Sequence, residues 1–226
     1  MSHHTNTIRI KAVAKALDDL NKKIVFVGGA TISLYPDRQV FEVRPTDDVD
    51  VIIEILNYQN RTELEEKLRN IGFAPDIESG VICRYKIHGI IVDIIPTNDS
   101  SVGFNNKWYP DGFNQAVDYQ IDEQCTIKIL SAPYFLATKF EAFKGRGNND
   151  GRMSQDFEDI IYVLENRATI WEEIINSNEE VKNYLRDEFR NLLLNPNHSE
   201  WIDAHVERGF PPATVAILEE LKKIAM

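Results

Sequence analysis

Residues 44–53 read RPTDDVDVII, a stretch that crowds Asp47, Asp48 and Asp50 together and then runs straight into a β-branched apolar segment. Side chains alternate along a strand, so Asp48 and Asp50 share one face while Val49 and Val51 turn to the other, toward a core. Two carboxylates held this close repel each other, and a divalent cation is the usual means of keeping both ionised. Charge at the mouth of a buried strand therefore asks for compensation, and a bound metal rather than the protein is expected to supply it.

Working outward, the segment IIVDIIP (90–96) reads as a further apolar strand in which Ile91, Asp93 and Ile95 share one face. Should that strand lie beside the first, a third carboxylate reaches the same space, and three hard oxygen donors suit Mg2+ or Mn2+. Upstream, IVFV (24–27) reads as a short strand broken by Gly28 and Gly29, with ATISLY read as a helix starting directly after the turn. A glycine pair between a strand and a helix lets backbone amides approach phosphate oxygens. Each feature has a plain explanation by itself: glycines make turns, and acidic residues at strand ends are common in solvated turns. Asp93 inside an apolar strand is not explained by a turn, and the order of the features is specific where the features are not.

The rest of the composition sets bounds. At 226 residues the chain has room for one large domain or two modest ones, and two are expected. A net charge of −11 argues against broad adhesion to nucleic acid but leaves room for a local basic patch. Cys83 and Cys125 are too widely separated for a zinc site or a disulfide framework, and Cys83 reads as a strand residue. There is no apolar run long enough for a membrane span and no signal-peptide pattern, so a cytoplasmic protein without membrane contact is expected.

Periodicity predicts an opening helix carrying Ile8, Val13, Ala16, Leu17 and Leu20 on its apolar face, and a second helix started by a capping box at Thr62 and Glu65 and stopped at Gly72. His88 and Gly89 form a two-residue connection between VICRYKI and IIVDIIP, the signal of an antiparallel hairpin. Residues 99–112 read as a long surface loop, AVDYQI and CTIKIL as two closing strands, and Ser131 as the N-cap of a helix. Beyond it the chain is helical apart from the loop KGRGNNDGR. The fold class is therefore α+β, a small mixed sheet flanked by helices and followed by a helical domain, with domains at 1–130 and 131–226.

VGGATISLY, RPTDDVDVII and IIVDIIP together resemble the nucleotidyltransferase superfamily with a polymerase-β-type core. The later stretch KFEAFKGRGNNDGRMSQDFEDIIYVLENR is similar to the helical region of AbiEii-like nucleotidyltransferases, the group that includes toxins of type IV toxin–antitoxin systems. The resemblance implies that Asp48 and Asp50 bind Mg2+ or Mn2+, with Asp93 completing the site as ligand or as base. Gly28 and Gly29 would cradle the triphosphate of an NTP. Ala30 stands where a serine is frequent, so Thr31 or Ser33 is left to supply that hydroxyl. Lys139 would contact phosphates, Asp156 matches the acidic residue of the following helix, and the helical domain would complete the nucleotide site.

Also implied are NMP transfer with release of pyrophosphate, an acceptor that is RNA, notably a tRNA end, or a protein hydroxyl, and an antitoxin partner. A small-molecule acceptor of aminoglycoside type and a non-catalytic nucleotide-binding module are the alternatives. Outside the resemblance, Lys139 reads as a surface lysine, Asp156 and Asp159 as a solvated helix face or dipole partners near a helix start, and Lys144, Arg146 and Arg152 as cations of a solvated loop, with a phosphate or polynucleotide contact as the lesser alternative.

Overall fold

All four residues of strand β1 (Ile24–Val27) are buried, which marks it as a central strand rather than an edge. It lies in a seven-stranded mixed sheet with β2 (Asp48–Ile53), β3 (Ala74–Pro75), β4 (Arg84–Ile87), β5 (Ile90–Pro96), β6 (Val117–Asp122) and β7 (Cys125–Ile129), in the order β3-β4-β5-β2-β1-β7-β6. These elements belong to a computed structural model that describes residues 2–37, 44–55, 58–98, 106–148, 150–207 and 213–226. β2 runs parallel to β5 and antiparallel to β1, while β1 runs parallel to β7. The chain divides into two compact units, Met1–Leu34 with Phe41–Ser131, and Tyr35–Val40 with Ala132–Met226.

In the first unit, helix α1 (Ser2–Leu17) buries Ile10, Val13, Ala14 and Leu17 completely or nearly so. Ile8, placed by periodicity on the apolar face, points to solvent instead. The hairpin at His88-Gly89 forms as expected, with both residues at positive φ (50° and 78°), the geometry of the tight turn that matches strand twist. Three elements differ from expectation. Gly29–Leu34 is a 3-10 segment rather than the start of an α-helix, and all six of its residues are buried. Helix α2 (Tyr58–Asn70) begins upstream of Thr62, which removes the capping-box role from Thr62 and Glu65. Cys83 sits in the turn before β4 rather than in the strand. Of the expected long loop, residues 99–105 lie outside the described residues, and helix α3 (Tyr109–Asn114) begins in the remainder and runs two residues past it. Both cysteines are buried thiols, and among the described residues no helix is long and apolar enough to cross a membrane.

The second unit is helical: α4 (Ala132–Arg146), α5 (Gln155–Asn166), α6 (Ile170–Ile175), α7 (Glu179–Leu194), α8 (His198–Asp203) and α9 (Ala213–Ala225). Ser154 caps α5 by accepting from the Phe157 N–H at 3.3 Å, and Asn178 caps α7 by accepting from the Glu180 N–H at 3.0 Å. Aromatic packing organises the interior. Phe157 meets Phe143 at 5.2 Å and Trp201 edge-on at 5.8 Å between ring centroids, geometries that favour the ring quadrupoles.

Candidate active site

Register decides which carboxylates meet. β2 and β5 are parallel neighbours with Asp50 directly opposite Asp93, and Asp48 lies two residues earlier on the same face. Carboxylate oxygens of Asp48, Asp50 and Asp93 accordingly come within 4.8 Å of one another. Val49 and Val51, turned to the other face, are fully buried. The donor set is all hard oxygen, which fits a divalent cation such as Mg2+ or Mn2+ and not a softer metal.

The protein itself also supplies counter-charge here, which corrects the expectation that a metal alone would do so. Arg84 on β4 stands opposite Asp93 in the hairpin. Its Nε donates to Asp93 Oδ1 and its Nη2 to Asp93 Oδ2, both at 2.8 Å, and Nη2 lies 3.5 Å from Asp48 Oδ2. The fork onto Asp93 drives the guanidinium pKa still higher, against the opposing effect of burial. Burial pushes the Cys83 thiol up to about 11, with the charges of Asp93 and Asp50 adding to the effect.

β1 runs beside β2 so that Val27 faces Asp50, and the turn at Gly28 therefore touches the same carboxylate. A Cβ at Gly28 would stand 2.0 Å from Asp50 Oδ2, and φ there is +72°, so steric contact and backbone conformation both require glycine. Gly28→Ala should lose about 1–2 kcal/mol from the left-handed backbone alone. It should also push Asp50 out of line, seen as a lowered denaturation midpoint together with weakened Mn2+ binding. Wild-type values for both would show that the turn does not shape the site.

A Cβ at Gly29 would meet the Arg44 guanidinium at 2.6 Å and Thr46 Cγ2 at 3.0 Å, so a cation from the chain lies beside the glycine pair. The approach to β2 is fixed by α1, where buried Asn6 donates to the Arg44 carbonyl at 3.2 Å and accepts from the Thr46 N–H at 3.3 Å. Thr31 and Ser33 separate clearly. Thr31 Oγ1 donates to the Gly28 carbonyl at 2.9 Å and so closes the turn. Ser33 Oγ is buried and has no hydrogen-bond partner among the described residues.

Lys139 and Asp156 lie in the second unit, where they meet each other. Lys139 is 4 % exposed, and its Nζ is 3.2 Å from Asp156 Oδ1 and 2.6 Å from Asp159 Oδ2. Arg146, at a spacing that puts it on the same face of α4 as Lys139, donates from Nε and Nη2 to Asp156 at 2.6 and 2.8 Å. Neither a surface lysine nor a solvated acidic face describes this cluster: Asp156 and Asp159 are 3 % and 1 % exposed. Burial alone would raise the Asp156 carboxyl, but Arg146 and Lys139 outweigh it and hold it below the ordinary carboxylate range. Its contribution to stability is therefore present at neutral pH and is lost only as pH falls through that lowered value. Of the other cations expected in the loop, Lys144 stands instead in the last turn of α4 and pairs with Glu141 and Glu188, while Arg152 pairs with Asp150 and Glu200.

Arg84, Arg44 and Asn6 escaped the reading of the sequence, and Arg146, read as a loop cation, ends helix α4 and pairs with Asp156 instead. For Arg84 the signal was present: a two-residue turn at His88-Gly89 fixes the hairpin register, and counting back equal steps sets Arg84 opposite Asp93.

No curated protein matches the chain. The fold is similar to that of the antibiotic-resistance factor ANT(2'')-Ia, known from a solution structure, with a TM-score of 0.51 and 16 % identity over 85 % of this chain and 97 % of that one. The family described as "Nucleotidyl transferase AbiEii toxin, Type IV TA system" matches residues 12–219, which includes both the acidic strands and the buried lysine cluster. With nearly the whole length matched, the chain belongs to the AbiEii nucleotidyltransferase toxin family of type IV toxin–antitoxin systems.

Proposed function

We propose that the protein transfers an NMP from an NTP to a hydroxyl of RNA, a tRNA end above all, or of a protein, using Mg2+ or Mn2+ held by Asp48, Asp50 and Asp93. The observation that carries this reading is the approach of three carboxylates, from two strands distant in sequence, to within 4.8 Å of one another. Such crowding disfavours a module that only binds a nucleotide. A cation bound there would polarise the α-phosphate and neutralise charge on the pyrophosphate that leaves.

The chain's own residues do the rest. Backbone amides at Gly28 and Gly29 receive phosphate oxygens, with the Arg44 guanidinium close by. Ser33 is favoured over Thr31 as the hydroxyl that contacts them, since the Thr31 proton is already engaged by the Gly28 carbonyl. As the acceptor oxygen bonds to the α-phosphorus, the bond from that phosphorus to the β-phosphate oxygen breaks and the hydroxyl proton leaves, with Asp93 as its base being the alternative to Asp93 as a metal ligand. Lys139 and Asp156 enter as family matches at the phosphates, with a structural role in the buried cluster as the competing assignment. An antitoxin is the partner that family membership calls for.

A small-molecule acceptor is the second reading, favoured by the likeness to an antibiotic-resistance factor. Incubating the protein with each labelled NTP, Mg2+ and, separately, total RNA, total protein or an aminoglycoside distinguishes the acceptors. Label is expected in RNA or protein and none after chelation of the metal. NTP binding without transfer to any acceptor would reduce the protein to a nucleotide-binding module.

A further inference from the structure

The cation site is already shared with an arginine. Arg84 takes both oxygens of Asp93 in one planar fork, and the same Nη2 reaches to 3.5 Å from Asp48. One guanidinium nitrogen thus lies between two of the three proposed metal ligands. It cannot be neutralised in the working pH range, because arginine does not deprotonate in proteins. Nor is it a loose surface group. It is fixed by hairpin register, its side chain is 21 % exposed, and the Asp93 side chain it grips is 5 % exposed. Like charges in a site of reduced dielectric repel strongly, and the lone pairs that hold the fork are those a metal would use.

We propose that Arg84 competes with the divalent cation for Asp93 and Asp48, so that tight metal binding waits for the nucleotide. The inference rests on the reading of the three aspartates as a metal site. Three carboxylates and one guanidinium leave a net charge of −2, too little to hold divalent cations firmly beside a fixed positive neighbour. The phosphates of an NTP bring the missing negative charge, and binding of metal and nucleotide become mutually dependent. Arg84 is then a positioning residue that acts through Asp93 and Asp48, and its effect is on the order of events rather than on the bond that breaks.

Mn2+ titration, read from the spectroscopic signal of free Mn2+ in the absence of nucleotide, tests this. Arg84→Met is expected to bind Mn2+ at least about tenfold more tightly than wild type, because the repelling charge is gone. Arg84→Lys, which keeps the charge, should stay near wild type. Adding a non-hydrolysable NTP analogue should tighten Mn2+ binding strongly in wild type and little in Arg84→Met. A purely structural role would weaken binding in Arg84→Met or leave it unchanged, and either result overturns the proposal. Where Arg84→Met fails to fold, Arg84→Gln removes the charge while retaining an amide donor to Asp93, and the same criterion applies. Asp50→Ala separates the two levels. Should the tight, analogue-dependent binding of Mn2+ seen in wild type survive in Asp50→Ala, the metal site itself is wrong and the competition falls with it.

Discussion

Asp50→Ala should lower NMP transfer by on the order of a thousandfold, the scale at which a fixed electrostatic partner of the transition state is lost. Asp50 is the central member of the triad: it faces Asp93 on one side and Val27 on the other, and its carboxylate abuts the turn at Gly28. Removal takes one of three oxygen donors from the cation. Yet the change should not unfold the protein. Arg84 remains forked to Asp93, and one negative charge fewer relieves repulsion among the others. Stability is expected to fall by no more than about 1 kcal/mol, well short of unfolding the protein. A transfer assay with labelled NTP beside a urea melt checks both halves, and any growth inhibition on expression should disappear with the same variant. Retention of a tenth or more of wild-type activity would remove Asp50 from the chemistry.

The second large effect is on stability. Lys139→Met should cost about 3–5 kcal/mol, as expected when one partner of a buried ion cluster is removed and the opposite charge remains. Its ammonium approaches Asp159 to 2.6 Å and Asp156 to 3.2 Å, and both carboxylates are almost inaccessible. Arg146 continues to serve Asp156, so the loss falls chiefly on Asp159. A double variant, Lys139→Met with Asp159→Asn, removes one charge of each sign and should recover much of the lost stability in a urea melt. Activity then distinguishes the two assignments of Lys139. Transfer that returns together with stability makes the lysine structural, whereas a stable but inactive double variant places its charge at the phosphates.

Much of the site was legible along the chain because its local rules are strong. Alternation set Asp48 and Asp50 on one face, glycine at positive φ marked the turn after β1, and the His88-Gly89 turn fixed the hairpin. The failures came where local preference met tertiary constraint. Gly29–Leu34 carries an apolar helical pattern, yet burial on all sides between α1 and the sheet confines it to a tight 3-10 segment. Thr62 and Glu65 have capping-box spacing, but helix formation extends upstream to Tyr58, and a cap has no meaning inside a helix. For Lys139, helix periodicity gave no sign of burial, since a lysine among apolar neighbours becomes tolerable only when carboxylates from another helix arrive to meet it.

The sequence by itself determined the strands, their faces, the glycine turn and the hairpin pairing that puts Arg84 against Asp93, all of which depend on neighbours close in the chain. Tertiary structure alone decided that β5 docks parallel to β2 with Asp93 beside Asp50, and that α5 delivers Asp156 and Asp159 to Lys139. The reason is that side-chain alternation and helical period fix which way a residue points, whereas the partner it meets is chosen by the packing of elements far apart in sequence, where burial leaves a charge no option but an opposite one.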